Sequence, residues 1–191
     1  MSGDLKPSDD DIMRDAAGSR PAAFAEIFER YHGSVYGYLR RLIGTSDGAH
    51  DLTQETFVLA FRSRDTYRPR GRFRAWLYRI ATNLARARFR EIEREHTGSE
   101  SAPLSTLADP KTVAGPEDVL DAAETRWIVS AALARLSLEE REVVLLRHFE
   151  DLRFGEIATL LDLSESTVKS RMRYALEKLA GLLQPLKREL Q

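Results

Sequence analysis

The sequence predicts an all-α protein of two small helical domains joined by a flexible acidic linker. Apolar residues recur at intervals of three and four along most of the 191 residues, and no long segment alternates with the period of two that a strand needs. This periodicity is lost in residues 95–119, where proline, glycine and acidic residues accumulate. We therefore expect an acidic N-terminal tail at residues 1–21, domains at residues 22–94 and 120–191, and a linker at residues 95–119.

The first domain contains three predicted amphipathic helices. Residues 22–43 form the first helix, and Gly44 is expected to end it. Ser46 and Asp47 are residue types that cap helix N-termini, so we expect the second helix to start there. A turn at residues 67–71 leads to the third helix. The apolar face of that helix carries Phe73, Trp76, Leu77, Ile80 and Leu84.

The third helix belongs to a strongly basic segment. Residues 68–90 contain eight arginines and no acidic residue, in a chain whose net charge is −1. Arg79, Asn83, Arg86 and Arg90 share the side of the helix that faces away from its apolar face. Such a stripe suits a phosphate backbone, with Asn83 as a candidate base reader. The alternatives are a solvated basic face and an asparagine that ties the preceding loop to the helix.

The second helix carries a polar cluster of a different kind. Asp51, Gln54 and Glu55 fall together beside Phe57. Two carboxylates four residues apart also occur in acid–base and metal sites, but no histidine or third carboxylate converges with them in the sequence. We therefore interpret this cluster as a docking surface for a basic protein partner.

The second domain contains a predicted helix-turn-helix. A capping box at residues 137–140 opens one helix, residues 154–161 form a short helix, and a tight turn at residues 162–164 leads into the last one. Asp162 stands where this turn commonly has glycine, and Asp tolerates the left-handed conformation better than most residues. The outward face of the last helix suits a major groove, and the alternative is a solvated face. Its inward face is expected to carry Val168, Met172, Ala175, Leu176, Leu179, Leu182 and Leu183.

The composition excludes several classes of function. The sequence has no cysteine, which excludes disulfide scaffolds, thiolate zinc sites and cysteine nucleophiles. Its four histidines are scattered without metal-type spacing, so we expect no metal and no cofactor. The N-terminal residues lack the apolar stretch of a signal peptide, and no apolar run approaches the roughly 20 residues that span a bilayer. We expect a cytoplasmic protein without direct membrane insertion.

Three motifs together resemble the extracytoplasmic-function sigma factors of bacterial RNA polymerase, the group IV branch of the sigma family. They are Asp51-Leu-Thr-Gln-Glu-Thr-Phe57, Phe73-Arg-Ala-Trp-Leu-Tyr-Arg-Ile-Ala-Thr-Asn83 and the helix-turn-helix at residues 154–174. The resemblance covers residues 22–92 and 133–183, which correspond to regions two and four of the family. The acidic linker falls where the family has its interdomain linker.

The resemblance implies a protein without catalytic chemistry of its own that binds core RNA polymerase and directs promoter-specific initiation, commonly under the control of an anti-sigma factor. The implied polymerase contacts are the clamp of the largest subunit and the flap, and the matching residues of region two are Asp51, Gln54, Glu55 and Phe57. Region two is further expected to melt the minus-ten element and hold a flipped base, and the matching residues are Tyr67, Arg68, Arg70, Arg72, Arg79, Asn83 and Arg86. Region four is expected to read the minus-thirty-five element, and the matching residues are Ser166, Thr167, Lys169, Ser170, Arg173 and Tyr174.

Two other functions fit parts of the sequence. A stand-alone helix-turn-helix regulator would explain the second domain but would leave the polar cluster beside Phe57 and the acidic linker without a role. A helical nuclease would need converging acids or histidines for a metal ion, and the sequence does not show them. Tight binding of the free protein to duplex DNA at physiological salt would favour the first alternative.

Overall fold

A computed structural model of the chain describes residues 7–96 and 128–189 and contains helices and no β-strand within them. The predicted all-α fold is confirmed. Most of the predicted linker, from residue 97 onwards, lies outside the described residues. The elements are α1 (Asp9–Ala17), α2 (Phe24–Ile43), α3 (Ser46–Arg62), α4 (Phe73–His96), α5 (described over residues 128–134), α6 (Leu138–His148), α7 (Phe154–Leu161) and α8 (Glu165–Glu189), with single 3-10 turns at Pro21–Ala23 and Arg64–Thr66.

Helices α2, α3 and α4 pack around the core of the first domain. Tyr38 is fully buried, and its hydroxyl shares a hydrogen bond of 2.8 Å with Thr82, so both buried hydroxyls are satisfied. Gly44 ends α2 in the left-handed conformation, with a φ of 92°, as expected. The N-cap of α3 is Thr45 and not Ser46 or Asp47. Thr45 has an extended backbone, and its carbonyl oxygen already accepts the first bond of the helix at 3.3 Å.

The segment assigned above to an acidic tail contains helix α1. The Ser8 hydroxyl caps this helix by accepting the Asp11 N–H at 3.2 Å, and three acidic residues in its first turn suit the positive end of the helix dipole. Ile12, Met13 and Ala16 are buried against the rest of the first domain. Three apolar positions in nine residues are too short a stripe to stand out in the sequence, which is why α1 was not predicted.

Helices α6, α7 and α8 form the second domain. The predicted capping box is present, because the Ser137 hydroxyl accepts the Glu140 N–H and the Glu140 carboxylate accepts the Ser137 N–H. Asp162 adopts the left-handed conformation, with a φ of 57°, and so ends α7 as predicted. The Ser164 hydroxyl accepts the Thr167 N–H at 3.1 Å and caps α8. These local signals fix the turn between the two helices.

The inward face of α8 is narrower than predicted. Val168 and Met172 are buried, whereas 45% of Leu176 and 37% of Leu182 are exposed. Leu176 lies about 100° around the helix from the buried Ala175, which places it off the inward face. Helix α8 has 25 residues and α6 has 11, so α8 is about 37 Å long against about 16 Å and extends beyond its neighbour. The apolar period alone did not show where this packing ends.

The two domains contact each other, α2 and α4 on one side and α6 and α7 on the other, in what we call the closed arrangement. Its centre is the fully buried Glu142 of α6. The Arg86 guanidinium of α4 donates from Nε at 2.7 Å and from Nη2 at 2.6 Å to the two carboxylate oxygens of Glu142. Burial raises the pKa of Glu142, and the hydrogen bonds from Arg86 oppose that rise. The pair is therefore a specific, bidentate link between the domains.

A second buried carboxylate lies in the same interface. Glu150 is 4% exposed, and it accepts a hydrogen bond from the Tyr78 hydroxyl. Arg74 donates to the backbone carbonyl of Glu150, and Arg141 donates from Nη1 to the Leu42 carbonyl at 2.8 Å. A buried ion pair adds little net stability, because the lost hydration of both charges offsets their attraction. When the intact domains separate, these charges regain their hydration, which offsets the loss of the ion pair. The buried charges therefore make the contact between the domains specific and still allow it to open.

Candidate polymerase and nucleic-acid surfaces

The predicted docking surface on α3 is largely exposed. Asp51, Gln54 and Glu55 are all exposed, within one turn of the helix. Phe57 is different: it is 5% exposed and packs edge-on against Phe28, with ring centroids 5.0 Å apart. Phe57 therefore packs beneath the exposed residues of this surface and is not itself available to a partner.

Two apolar side chains that the sequence analysis did not single out lie beside this acidic surface. Phe28 of α2 is 41% exposed and Val58 of α3 is 46% exposed. Exposed apolar groups next to acidic ones give a mixed surface of the kind that protein interfaces use. The signal in the sequence was weak, because Phe28 fits the apolar period of α2 and looks like a core residue.

The exposed side of α4 carries part of the predicted minus-ten set. Arg79 and Asn83 are exposed, as is Arg90 further along the helix. Arg86 is held by Glu142 of the second domain in the closed arrangement, where its side chain is 30% exposed, so separation of the domains would release its guanidinium from this pair. Within residues 7–96 and 128–189, no hydrogen bond joins the Asn83 side chain to the loop before α4, the contact that a structural role would need.

The loop before α4 is basic outside and aromatic underneath. Arg68, Arg70 and Arg72 are exposed. Tyr67, predicted to contact DNA, is 9% exposed, and its ring lies 4.8 Å from that of Trp76. Burial, together with its hydrogen bond to a carboxylate of α1, raises the pKa of Tyr67. Tyr67 is therefore a neutral structural residue at the base of the loop.

The outward face of α8 is open to solvent. Lys169, Ser170, Arg173 and Tyr174 are exposed, and the Arg173 guanidinium lies 4.9 Å from the centre of the Tyr174 ring. Ser166 is exposed too. Thr167 is half-buried, and its hydroxyl shares a hydrogen bond of 2.7 Å with the Ser164 cap, so it belongs mainly to the start of the helix. The face presents two cations, hydroxyls and one aromatic ring, as major-groove recognition requires.

The two basic surfaces approach each other in the closed arrangement. Arg72 of the loop and Lys169 of α8 line the same open cavity, of about 610 Å³, together with Arg147, Arg153 and Phe154. Glu156 and Glu165 line the cavity too, so its four cations outnumber its acidic residues by two, and this excess adds repulsion to the closed arrangement. Lys169 is partly neutralised by Glu165, whose carboxylate lies 2.6 Å from its ammonium.

Across residues 7–96 and 128–189, no group of three or more His, Asp or Glu side chains is arranged to hold a metal ion. Among the helices of that same part of the chain, none is both long and apolar enough to cross a membrane.

Each of the two domains matches a known protein family. The model of Sigma-70 region 2 matches residues 27–95, and that of Sigma-70, region 4 matches residues 126–179. The ECF RNA polymerase sigma factor SigW of Bacillus subtilis is 30% identical over 170 residues, which are 86% of this chain and 90% of SigW. The chain belongs to the ECF family of RNA polymerase sigma factors. Proteins of this family regulate transcription and are not known as catalysts.

Two solved structures resemble this sigma factor. CnrH in complex with the cytosolic domain of CnrY has a TM-score of 0.68 and 25% identity, and the match covers 94% of this chain and 99% of that one. The sigma factor RpoE in complex with the anti-sigma factor NepR from Bartonella quintana has a TM-score of 0.70 and 23% identity, and the match covers 87% of this chain and 98% of that one. The second likeness concerns the fold alone.

Proposed function

We propose that this sigma factor binds core RNA polymerase through the acidic surface of α3, melts the minus-ten element with the exposed side of α4 and its preceding loop, and reads the minus-thirty-five element with α8. The observation that carries the proposal is the outward face of α8, where Lys169, Ser170, Arg173 and Tyr174 project from a capped helix-turn-helix. The basic side of α4 supports the second half of the proposal. Since these surfaces recognise and position partners, the protein needs no catalytic chemistry of its own.

The proposed function requires the closed arrangement to open. The two promoter elements lie about 25 base pairs apart by the positions that name them, which is about 85 Å along B-DNA. A compact protein of 191 residues has a radius of gyration of about 16 Å and so a diameter of about 40 Å. The closed protein therefore cannot contact both elements at the same time, and the domains have to separate. Separation also frees Arg86 for the minus-ten strand.

Control by an anti-sigma factor is part of the same proposal. Membership of the ECF family supports it, and RpoE, which shares the fold, was solved with the anti-sigma factor NepR. A protein of this kind works where RNA polymerase is, so we place it in the cytoplasm. The experiment that tests the whole proposal is run-off transcription by core polymerase plus this protein over a pool of genomic fragments. We expect start sites that share two upstream elements. Transcripts that begin at the same sites without the added protein would contradict the proposal.

The first prediction concerns Glu55. Glu55→Lys places a cation on a surface proposed to meet a basic partner, so we expect binding to core polymerase to weaken by about tenfold or more through like-charge repulsion. The measurement is competition for core against the labelled wild-type protein, with circular dichroism to check the fold. Glu177→Lys is the matched control, because Glu177 is also exposed but lies on α8. Equal competition by both variants would remove Glu55 from the docking surface.

The second prediction concerns Asn83. An amide can donate to and accept from the edge of a flipped base, so Asn83→Ala should impair initiation from duplex promoters and change which minus-ten base is preferred. We expect a loss of about tenfold, the size of one good polar contact to a base. The measurement is initiation from promoters that carry each of the four bases at the captured position. An unchanged base preference together with a lower melting temperature of the protein would leave Asn83 with a structural role only.

A further inference from the structure

Helix α1 holds the loop that precedes α4. One carboxylate oxygen of Asp10 accepts a hydrogen bond from the Tyr67 hydroxyl at 2.5 Å, and the other accepts the backbone N–H of Gly71 at 2.6 Å. Tyr67 and Gly71 are the first and last residues of the predicted turn. A single side chain from outside the loop therefore fixes both of its ends.

Helix α1 is firmly anchored where it makes this contact. Ile12 is 2% exposed in the core of the first domain. The neighbouring Asp9 accepts hydrogen bonds from Arg30 at 3.1 Å and from the Tyr31 hydroxyl at 2.5 Å. At the other end of α1, Arg64 donates from Nε to a backbone carbonyl of the helix at 3.2 Å. Asp10 thus belongs to a rigid element, and the loop is fixed to that element.

The part of the loop between its two fixed ends is poorly suited to hold a shape of its own. Arg68 and Arg70 lie between the fixed ends and Arg72 lies just beyond them, and all three are exposed and repel one another. Gly71, at the second fixed end, has a φ of 65°, a conformation that glycine adopts without strain. A free loop of this kind loses conformational entropy when it is ordered on a ligand. A loop that is already ordered avoids that cost and binds more tightly.

We propose that Asp10 is a positioning residue for minus-ten recognition: it holds the Tyr67–Gly71 loop ready to receive a flipped base. The inference rests on the proposed function of that loop. Flipping a base breaks its hydrogen bonds and stacking contacts, which costs free energy. A receiving loop that is ordered beforehand adds no further cost to this step. Helix α1 therefore contributes to promoter recognition without contacting DNA itself.

The test measures how the sigma factor, bound to core polymerase, binds single-stranded minus-ten oligonucleotides that carry each of the four bases at the captured position. The sequence is that of the promoter found by run-off transcription. Asp10→Asn keeps the side-chain shape but removes the charge, so the Tyr67 hydroxyl and the Gly71 N–H lose their charge-assisted hydrogen bonds to a carboxylate. We expect the preferred base to bind about tenfold more weakly, the loss of one charge-assisted hydrogen bond, while the other bases change little. Tyr67→Phe should have the same effect, and the double variant should add nothing further.

Asp15→Asn is the matched control, because it makes the same charge change on the same helix at an exposed side chain that faces Arg20. Arg70→Ala reports on the loop itself. If Arg70→Ala weakens binding of the preferred base and Asp10→Asn behaves like Asp15→Asn, the inference about Asp10 is overturned and the proposed function stands. If neither variant has an effect, the loop does not read the minus-ten element, and both fail. An equal loss for all four bases with a lower melting temperature would make Asp10 a purely structural residue.

Discussion

Glu142→Lys is expected to separate the two domains of the free protein. The substitution removes the carboxylate that Arg86 grips with two hydrogen bonds and places a second cation in its position. Removing one partner of a buried ion pair costs about 3–5 kcal/mol, so the ratio of closed to open protein should fall by about 100-fold or more. We expect opening and not unfolding, because α6 packs against α7 and α8 of its own domain as well as against α2 of the first domain.

The distance between two attached fluorophores measures this opening. The chain has no cysteine, so cysteines introduced at the exposed positions Arg62 and Glu177 can be labelled cleanly. Glu139→Lys is the control, since Glu139 lies on the same helix but is exposed. The swapped pair Arg86→Glu with Glu142→Arg should restore the short distance. A short distance in Glu142→Lys itself would mean that two unpaired cations in this interface do not force the domains apart, and would contradict the prediction.

Arg173→Ala and Lys169→Ala are each expected to weaken binding of the upstream promoter element by about 1–3 kcal/mol if the side chain contacts a base. Both side chains are exposed on the outward face of α8 and so are available to DNA. The ion pair of Lys169 with Glu165 is exposed, so giving it up costs little. The measurement is the affinity of the polymerase-bound sigma factor for promoters with single substitutions in the minus-thirty-five element.

The pattern of the loss identifies the kind of contact. A base contact relaxes the preference at one position of the element, whereas a phosphate contact weakens all sequences equally and lowers the salt dependence by about one charge. Arg135→Ala is the control, because Arg135 is an exposed arginine of the second domain that lies between α5 and α6. If Arg173→Ala and Arg135→Ala bind every promoter with the same affinity, α8 is not the helix that recognises the minus-thirty-five element.

Local signals made the second domain predictable from the sequence. The capping pair Ser137 and Glu140, the left-handed Asp162 and the cap at Ser164 each act over three or four residues, and the structure has all of them where the sequence put them. The exposed residues of α3 and α8 were predictable for the same reason, since a helical period of 3.6 separates inward from outward faces.

Contacts between distant parts of the chain could not be predicted in this way. Glu142 and Arg86 are 56 residues apart, and nothing near either one marks it as half of a buried pair. Tyr67 and Phe57 were both predicted to lie on binding surfaces, yet their rings are buried against other aromatic residues. The partner of Tyr67 is Asp10, from a helix too short to show a clear apolar period. Tertiary packing decided each of these cases.

The central claim is that this protein recognises promoters only when it is bound to polymerase and its two domains are apart. The most direct test is equilibrium binding of a fluorescent promoter duplex at physiological salt. The free protein should bind weakly and without sequence preference, because the closed arrangement keeps Arg86 engaged and cannot span both elements. With core polymerase added, binding should become tight and should be lost when either element is scrambled. Tight, sequence-specific binding by the free protein would contradict the account and would favour a stand-alone helix-turn-helix regulator.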